Sequence, residues 1–239
     1  TLPLCPLSAL GELGPDWRRI WATFVAVDSP PGYPALWGHE TEKVTTIKQQ
    51  PNCYLARRPD PPEKQAADYP QRLWAQAGKL LISERLRLNT QRLTAVVTPQ
   101  PVLATSWWTV RFKGKVPAQA EQVLALWLNS SLGLLLLIAN RQETEGAWTK
   151  YKKPTLAAMP VLDVRALSGR QVGALARAFD LLAGQALQPL SQMDADPVRA
   201  QIDAALAQAL GLGDLSGLRA ALAREPVVSL QGLRQRRRV

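Results

Sequence analysis

Residues Ala125-Leu-Trp-Leu-Asn-Ser-Ser-Leu-Gly-Leu-Leu-Leu-Leu-Ile-Ala139, then Thr144-Glu-Gly-Ala-Trp148, Lys150-Tyr-Lys-Lys-Pro154 and Met159-Pro-Val-Leu-Asp163, decide the fold. Val123, Leu124, Trp127, Leu128, Leu132, Leu135 and Leu136 recur at spacings of three and four, which predicts a largely buried helix over 118–140. Gly133 interrupts that helix without having to end it. A turn at Thr144-Glu-Gly146 and a lysine-rich segment follow, and the chain then re-enters a short apolar run at Met159.

Before this stretch, short runs rich in Leu, Val and Thr stand between turn signals. Lys79-Leu-Leu-Ile-Ser83, Leu93-Thr-Ala-Val-Val97 and Val102 to Phe112 read as strands of an antiparallel meander. Residues 1–70 are rich in proline and aromatics; Trp21 to Val27 reads as a strand ending at the turn Asp28-Ser-Pro-Pro-Gly32, and the rest as an irregular, surface-wrapping segment. Arg57-Arg-Pro-Asp-Pro-Pro62 reads as a linker, because proline lacks an amide donor and holds the chain extended. After Asp163 the chain is rich in Ala, Leu and Gln, with helices expected at Ser168 to Gln188, Asp196 to Leu210 and Leu215 to Arg224. Asp196-Pro197 has the form of an N-cap followed by proline in the first turn, and Gly211 that of a stop. The expected fold class is α+β: a small antiparallel or mixed sheet with a buried helix, followed by a helical tail. Three regions are expected, at 1–70, 71–165 and 166–239, the last ending in the basic run Arg234-Gln-Arg-Arg-Arg238.

The chain has 239 residues, 46% of them hydrophobic, enough for one sizeable core or two small ones. Its net charge of +10 and isoelectric point near 10.1 favour a polyanionic partner. Two cysteines, Cys5 and Cys53, do not make a disulfide framework and suit a reducing, cytoplasmic setting. The longest apolar run, Leu132 to Ala139, is far short of the ~20 residues that span a bilayer, so no membrane partner is expected. The first residue is Thr and the opening Leu-Pro-Leu-Cys-Pro-Leu7 lacks a basic start, so the sequence reads as part of a longer protein.

The one histidine, His39, lacks the second histidine of a zinc-binding helix. Pro51-Asn-Cys-Tyr54 holds some of the residue types of a base-amino methyltransferase motif, in the wrong order. No glycine-rich turn follows an early strand, so no cofactor is expected in this chain. Basic residues interleaved with aromatics are the stronger signal. Trp107, Trp108, Arg111, Phe112, Lys113 and Lys115 form one cluster, and Trp148, Lys150, Tyr151, Lys152 and Lys153 a second.

With those residues in view, the chain resembles the C-terminal target-recognition region of bacterial N-6 adenine DNA methyltransferases of restriction-modification or phage-defence systems. The resemblance rests on Ala35-Leu-Trp-Gly-His-Glu40, Glu84-Arg-Leu-Arg-Leu-Asn-Thr90, Thr105-Ser-Trp-Trp108, Leu126 to Gly133 and Lys152-Lys-Pro-x-Leu-x-x-Met-Pro-Val161, in that order. It implies sequence-specific binding of double-stranded DNA, with region 71–165 as the recognition core. It also implies a methyltransferase catalytic domain, in the same polypeptide or a partner subunit, that carries S-adenosylmethionine. The glycines and the proline-proline-aromatic motif of such a catalytic domain are not in this sequence, so methyl transfer by this chain alone is not expected.

Lys150, Lys152 and Lys153 are the candidate phosphate contacts, and Trp108, Arg111 and Lys113 are further candidate DNA-binding residues. Arg85, Arg87, Asn89 and Arg92 are candidate base readers, because Arg pairs bidentately with guanine and Asn with adenine. Asn129, Ser130 and Ser131 read as packing or bending residues of a helix ahead of DNA contacts. The alternative to DNA recognition is a protein-interaction module in which the Ala/Leu-rich tail docks a partner.

Overall fold

The computed structural model describes residues 2–38, 43–62, 64–143 and 148–229. His39, residues 144–146 and the basic run at 234–238 lie outside them. Leu4–Pro6 (β1) passes through one helical turn, Leu7–Leu10 (α1), into Gly11–Leu13 (β2). Asp16 accepts the Arg18 amide at 2.9 Å and so starts Trp17–Thr23 (α2), which leads directly into Phe24–Val27 (β3). Tyr33–Leu36 (β4) and Cys53–Arg57 (β5) follow, then Tyr69–Trp74 (α3), opened by Pro70. Next come Gly78–Ser83 (β6), Arg85–Arg87 (β7), Ala95–Ala104 (β8) and Trp107–Phe112 (β9). Two helices, Ala120–Asn129 (α4) and Ser131–Ala139 (α5), precede Gln142–Glu143 (β10), Trp148–Lys150 (β11), Lys153–Ala158 (α6) and Pro160–Leu162 (β12). The chain continues through Gly169–Leu182 (α7), Pro197–Leu210 (α8), Ser216–Arg224 (α9) and Pro226–Ser229 (α10).

The fold is α+β. A seven-stranded mixed sheet runs β2-β9-β6-β8-β4-β5-β3, antiparallel throughout except where β4 pairs parallel with β8. A three-stranded sheet, β10-β11-β7, and the pair β1-β12 stand apart from it. Helix α4 packs on β6 and β8 on one side and on α7 on the other. Val172, Leu175, Phe179, Ile202 and Leu206 of α7 and α8 therefore share one core with Leu80, Val96 and Trp127. A smaller cluster, Ile20, Phe24, Leu55, Leu73 and Leu103 among it, lies under α2 and α3.

Several elements differ from expectation for local reasons. Residues 1–70, expected to be irregular, supply four of the seven strands of the large sheet. Trp21 to Thr23 are helical, because the Asp16 cap commits the chain to α2 and the strand begins only at Phe24. The runs at Leu93 and Val102 join into one strand, β8, whose register against β6 shifts between Gly78 and Leu80. Thr98 Oγ1 donates to the Gln100 carbonyl there and stabilises the irregularity that Pro99 and Pro101 impose.

The single helix expected over 118–140 is two, bent by 72° at Ser130. Asn129 causes the break by long-range bonding. Its Nδ2 donates to the Ala95 carbonyl at 2.8 Å and its Oδ1 accepts the Thr94 amide at 2.9 Å. Ser130 then caps α5 by accepting the Gly133 amide at 3.1 Å. Gly133 is required at this corner, since a Cβ there would stand 2.0 Å from the Trp127 carbonyl oxygen. All three polar residues, Asn129, Ser130 and Ser131, are buried in packing roles, as expected. Among the described residues no single helix is long and apolar enough to cross a membrane; the α4–α5 pair has the composition but bends sharply, and most of its residues are buried.

Helices α7, α8 and α9 stand close to their expected places. Asp196 caps α8, Pro197 occupies its first turn, and Gly211 closes it in the left-handed conformation at φ 66°. The tail is locked to the core by a buried ionic cluster. Arg199 is fully buried, donates to the Asn129 and Arg92 carbonyls and lies 3.7 Å from Asp196. Asp203 accepts the Ser131 amide at 2.8 Å and hydroxyl at 2.7 Å, and pairs with Arg219 at 3.0 Å.

Candidate nucleic-acid interface

The register of the small sheet sets the site. β11 pairs antiparallel with β7, placing Lys150 opposite Arg85, Thr149 opposite Leu86 and Trp148 opposite Arg87. Side chains directly opposite share a face, and alternate residues share it too, so Arg85, Arg87, Trp148 and Lys150 project together while Leu86 and Thr149 are buried beneath. Two cations opposite one another repel. Glu84 offsets part of this, with Oε1 3.8 Å from Lys150 Nζ. Burial raises the Glu84 carboxyl above the ordinary range, against the pull of Lys150 and Arg85.

Tyr151 anchors the segment that follows. Fully buried, it donates its hydroxyl to the Leu137 carbonyl, its amide bonds the Glu84 carbonyl and its own carbonyl accepts Trp108 Nε1 at 3.3 Å. Burial pushes the phenol far up, so it stays neutral. Lys152 is exposed at the start of α6. Lys153 lies over the Trp108 ring at 5.9 Å and donates to the Gly14 carbonyl at 2.9 Å; burial, then Arg19, lowers its pKa.

The remaining candidates divide. Arg111 on β9 and Lys113 just after it are half exposed and both reach Glu12 on β2, at 3.0 and 3.2 Å. Glu12 also acts on the charge of Lys153, so this edge adjoins the lysine segment. Trp108 is buried and supports Lys153 from below instead of presenting a surface. Arg92 donates to the Leu187 carbonyl at 2.9 Å, which ties its loop to the chain after α7. The Asn89 carbonyl accepts Ser191 Oγ at 2.7 Å, and its side chain is partly buried. The register thus brings Arg85, Arg87 and Lys150 to one face, Lys152 and Lys153 follow next in the chain with Lys153 held to Gly14 and Trp108, and Asn89 and Arg92 turn toward the tail.

Helix α2 adds residues that sequence reading passed over. Trp17, Arg18, Arg19 and Trp21 are exposed on it, and Arg18 and Asp16 act on the charge of Glu84. The local signal was present in Asp16-Trp-Arg-Arg, an N-cap followed by basic and aromatic residues, but the strand assigned from Trp21 obscured it. Among the described residues no group of three or more His, Cys, Asp or Glu side chains converges to hold a metal ion. Cys5 and Cys53 are unpaired, and burial, first among the causes, raises both thiols.

No protein-family model and no curated protein matches this chain. Among solved structures, the type IIG restriction endonuclease BpuSI is similar, with 14% sequence identity and a TM-score of 0.54. The match covers 84% of this chain and 26% of that one, so the chain spans about a quarter of the enzyme's length. At that identity the likeness is one of fold: this chain folds as part of a restriction endonuclease does.

Proposed function

We propose that this chain is a DNA target-recognition module of a restriction-modification or phage-defence protein, working beside an adenine N-6 methyltransferase catalytic domain that binds S-adenosylmethionine. The observation that carries this is the pairing of Arg85 with Lys150 across β7 and β11, continued by Lys152 and Lys153. Opposed cations cost stability in the free protein and are relieved when phosphates neutralise them. The fold shared with part of BpuSI supports the same reading.

In this reading Lys150, Lys152 and Lys153 contact phosphates and set affinity, while Arg85 and Arg87, projecting beside them, reach base edges and set preference. A module of this kind works in the cytoplasm, where cellular DNA lies. Selection of bound duplexes from a random pool tests it. An enriched short site that changes with Arg85→Ala or Arg87→Ala supports base reading, and uniform weakening without a change of site reduces both to backbone contacts. A partner-docking reading has one observation in its favour: Leu181 on α7 is 74% exposed beside the groove between α7 and α8.

A further inference from the structure

Two exposed tryptophans stand four residues apart on α2, Trp17 at 36% and Trp21 at 50% exposure. That spacing places them side by side on one helix face, while Ile20 turns inward to the smaller core. Each indole carries a guanidinium. Arg18 lies 5.5 Å from the Trp17 ring, and Arg58 lies 4.8 Å from the Trp21 ring while also donating to the Trp21 carbonyl at 3.2 Å. Beside them Tyr69 is flanked by Arg19 and Arg72, at 5.6 and 5.5 Å. Asp16 and Asp68 offset part of the charge, 3.8 Å from Arg18 and 3.3 Å from Arg72.

We propose that the outer face of α2 is a base-stacking platform, on which Trp17 and Trp21 take up unpaired nucleotides while Arg18 and Arg58 hold the adjoining phosphates. A ring face beside a cation matches a nucleotide, which offers a π surface beside a negative charge. Bases inside a duplex are already stacked on both sides, so an indole reaches only a base that has left the stack. The platform also lies near the lysine segment: Lys153 donates to the Gly14 carbonyl, three residues ahead of Trp17, at 2.9 Å. It deepens the nucleic-acid reading above by naming unpaired nucleotides as a second substrate form, and it stands or falls separately from duplex recognition.

The test is binding of the purified chain to three labelled DNAs: a blunt duplex, the same duplex carrying a short unpaired thymine loop, and a thymine single strand. The looped duplex is expected to bind about fivefold or more tightly than the blunt one, the gain that stacking of a single base supplies. Trp17→Ala with Trp21→Ala abolishes that preference, bringing the looped duplex down to the affinity of the blunt one, whereas Trp17→Phe with Trp21→Phe, which keeps ring faces and fold, retains part of it. Lys150→Ala, Lys152→Ala and Lys153→Ala together weaken blunt and looped duplexes alike. Equal wild-type affinity for blunt and looped duplexes, or a preference untouched by the alanine pair, overturns the platform and leaves duplex recognition standing. Binding of the loop and single strand without the blunt duplex overturns duplex recognition instead, and no binding to any of the three overturns both.

Discussion

At the scale of single residues, Glu84 is the control on the basic face. Its carboxylate lies 3.8 Å from Lys150 in a mostly buried position, and it subtracts charge from the edge that would meet phosphate. Glu84→Gln is expected to tighten duplex binding about two- to fivefold at low ionic strength, the range of a partly exposed ion pair, as measured by fluorescence anisotropy. Arg199 plays the opposite part, stabilising and remote from the site. Its guanidinium is fully buried against Asp196 and the carbonyls of Asn129 and Arg92. Removing it takes the counter-charge from the buried Asp196 carboxylate and the donor from two carbonyls, so Arg199→Ala should cost about 3–5 kcal/mol in urea unfolding. Neither residue's role was legible beforehand. Both depend on partners far apart in the chain, Lys150 for Glu84 and Asn129 and Arg92 for Arg199, and nothing near Glu84 or Arg199 marks those partners.

At the scale of elements, legibility followed how local the cause was. Helix α8 carries its start and stop in its own residues, Asp196-Pro197 and Gly211, and it forms where they place it. The break between α4 and α5 is set by Asn129 bonding to Thr94 and Ala95, while the three-and-four spacing of apolar residues runs straight through Ser130. The lysines of the candidate site could be read from the pattern around them, but the register that sets Arg85 against Lys150 could not. A pH dependence is expected at the short ladder between β1 and β12. Arg165 bonds the Asp163 carboxylate at 2.8 Å through both Nε and Nη2 and also donates to the Ala9 carbonyl, and this pairing holds the Asp163 pKa below the ordinary carboxylate range. Because the folded pKa is depressed, the stabilisation is present at neutral pH, above the unfolded value, and is lost as pH falls through the folded one. Protection factors of the ladder amides, observed exchange corrected for the intrinsic rate at each pH, are therefore expected to fall in acid, and Asp163→Asn should lower them at neutral pH and remove the acid dependence.

At the scale of the whole molecule, the three-part division suggested by composition meets a core that crosses it. Four N-terminal strands complete the large sheet, and α7 and α8 bury their apolar faces against α4, so the basic edge is held by elements from the full length of the described chain. Rigid support of this kind keeps Arg85, Lys150, Lys152 and Lys153 in one place, where binding need not first order them. The most direct test of that face is duplex binding over a salt series, comparing wild type with the Lys150→Ala, Lys152→Ala, Lys153→Ala triple variant. Each lost phosphate contact lowers the slope of log affinity against log salt by about 0.9, so the triple variant should lose roughly two to three units of slope and bind more weakly at every concentration. An unchanged slope would contradict the account and leave the basic edge without a phosphate to hold.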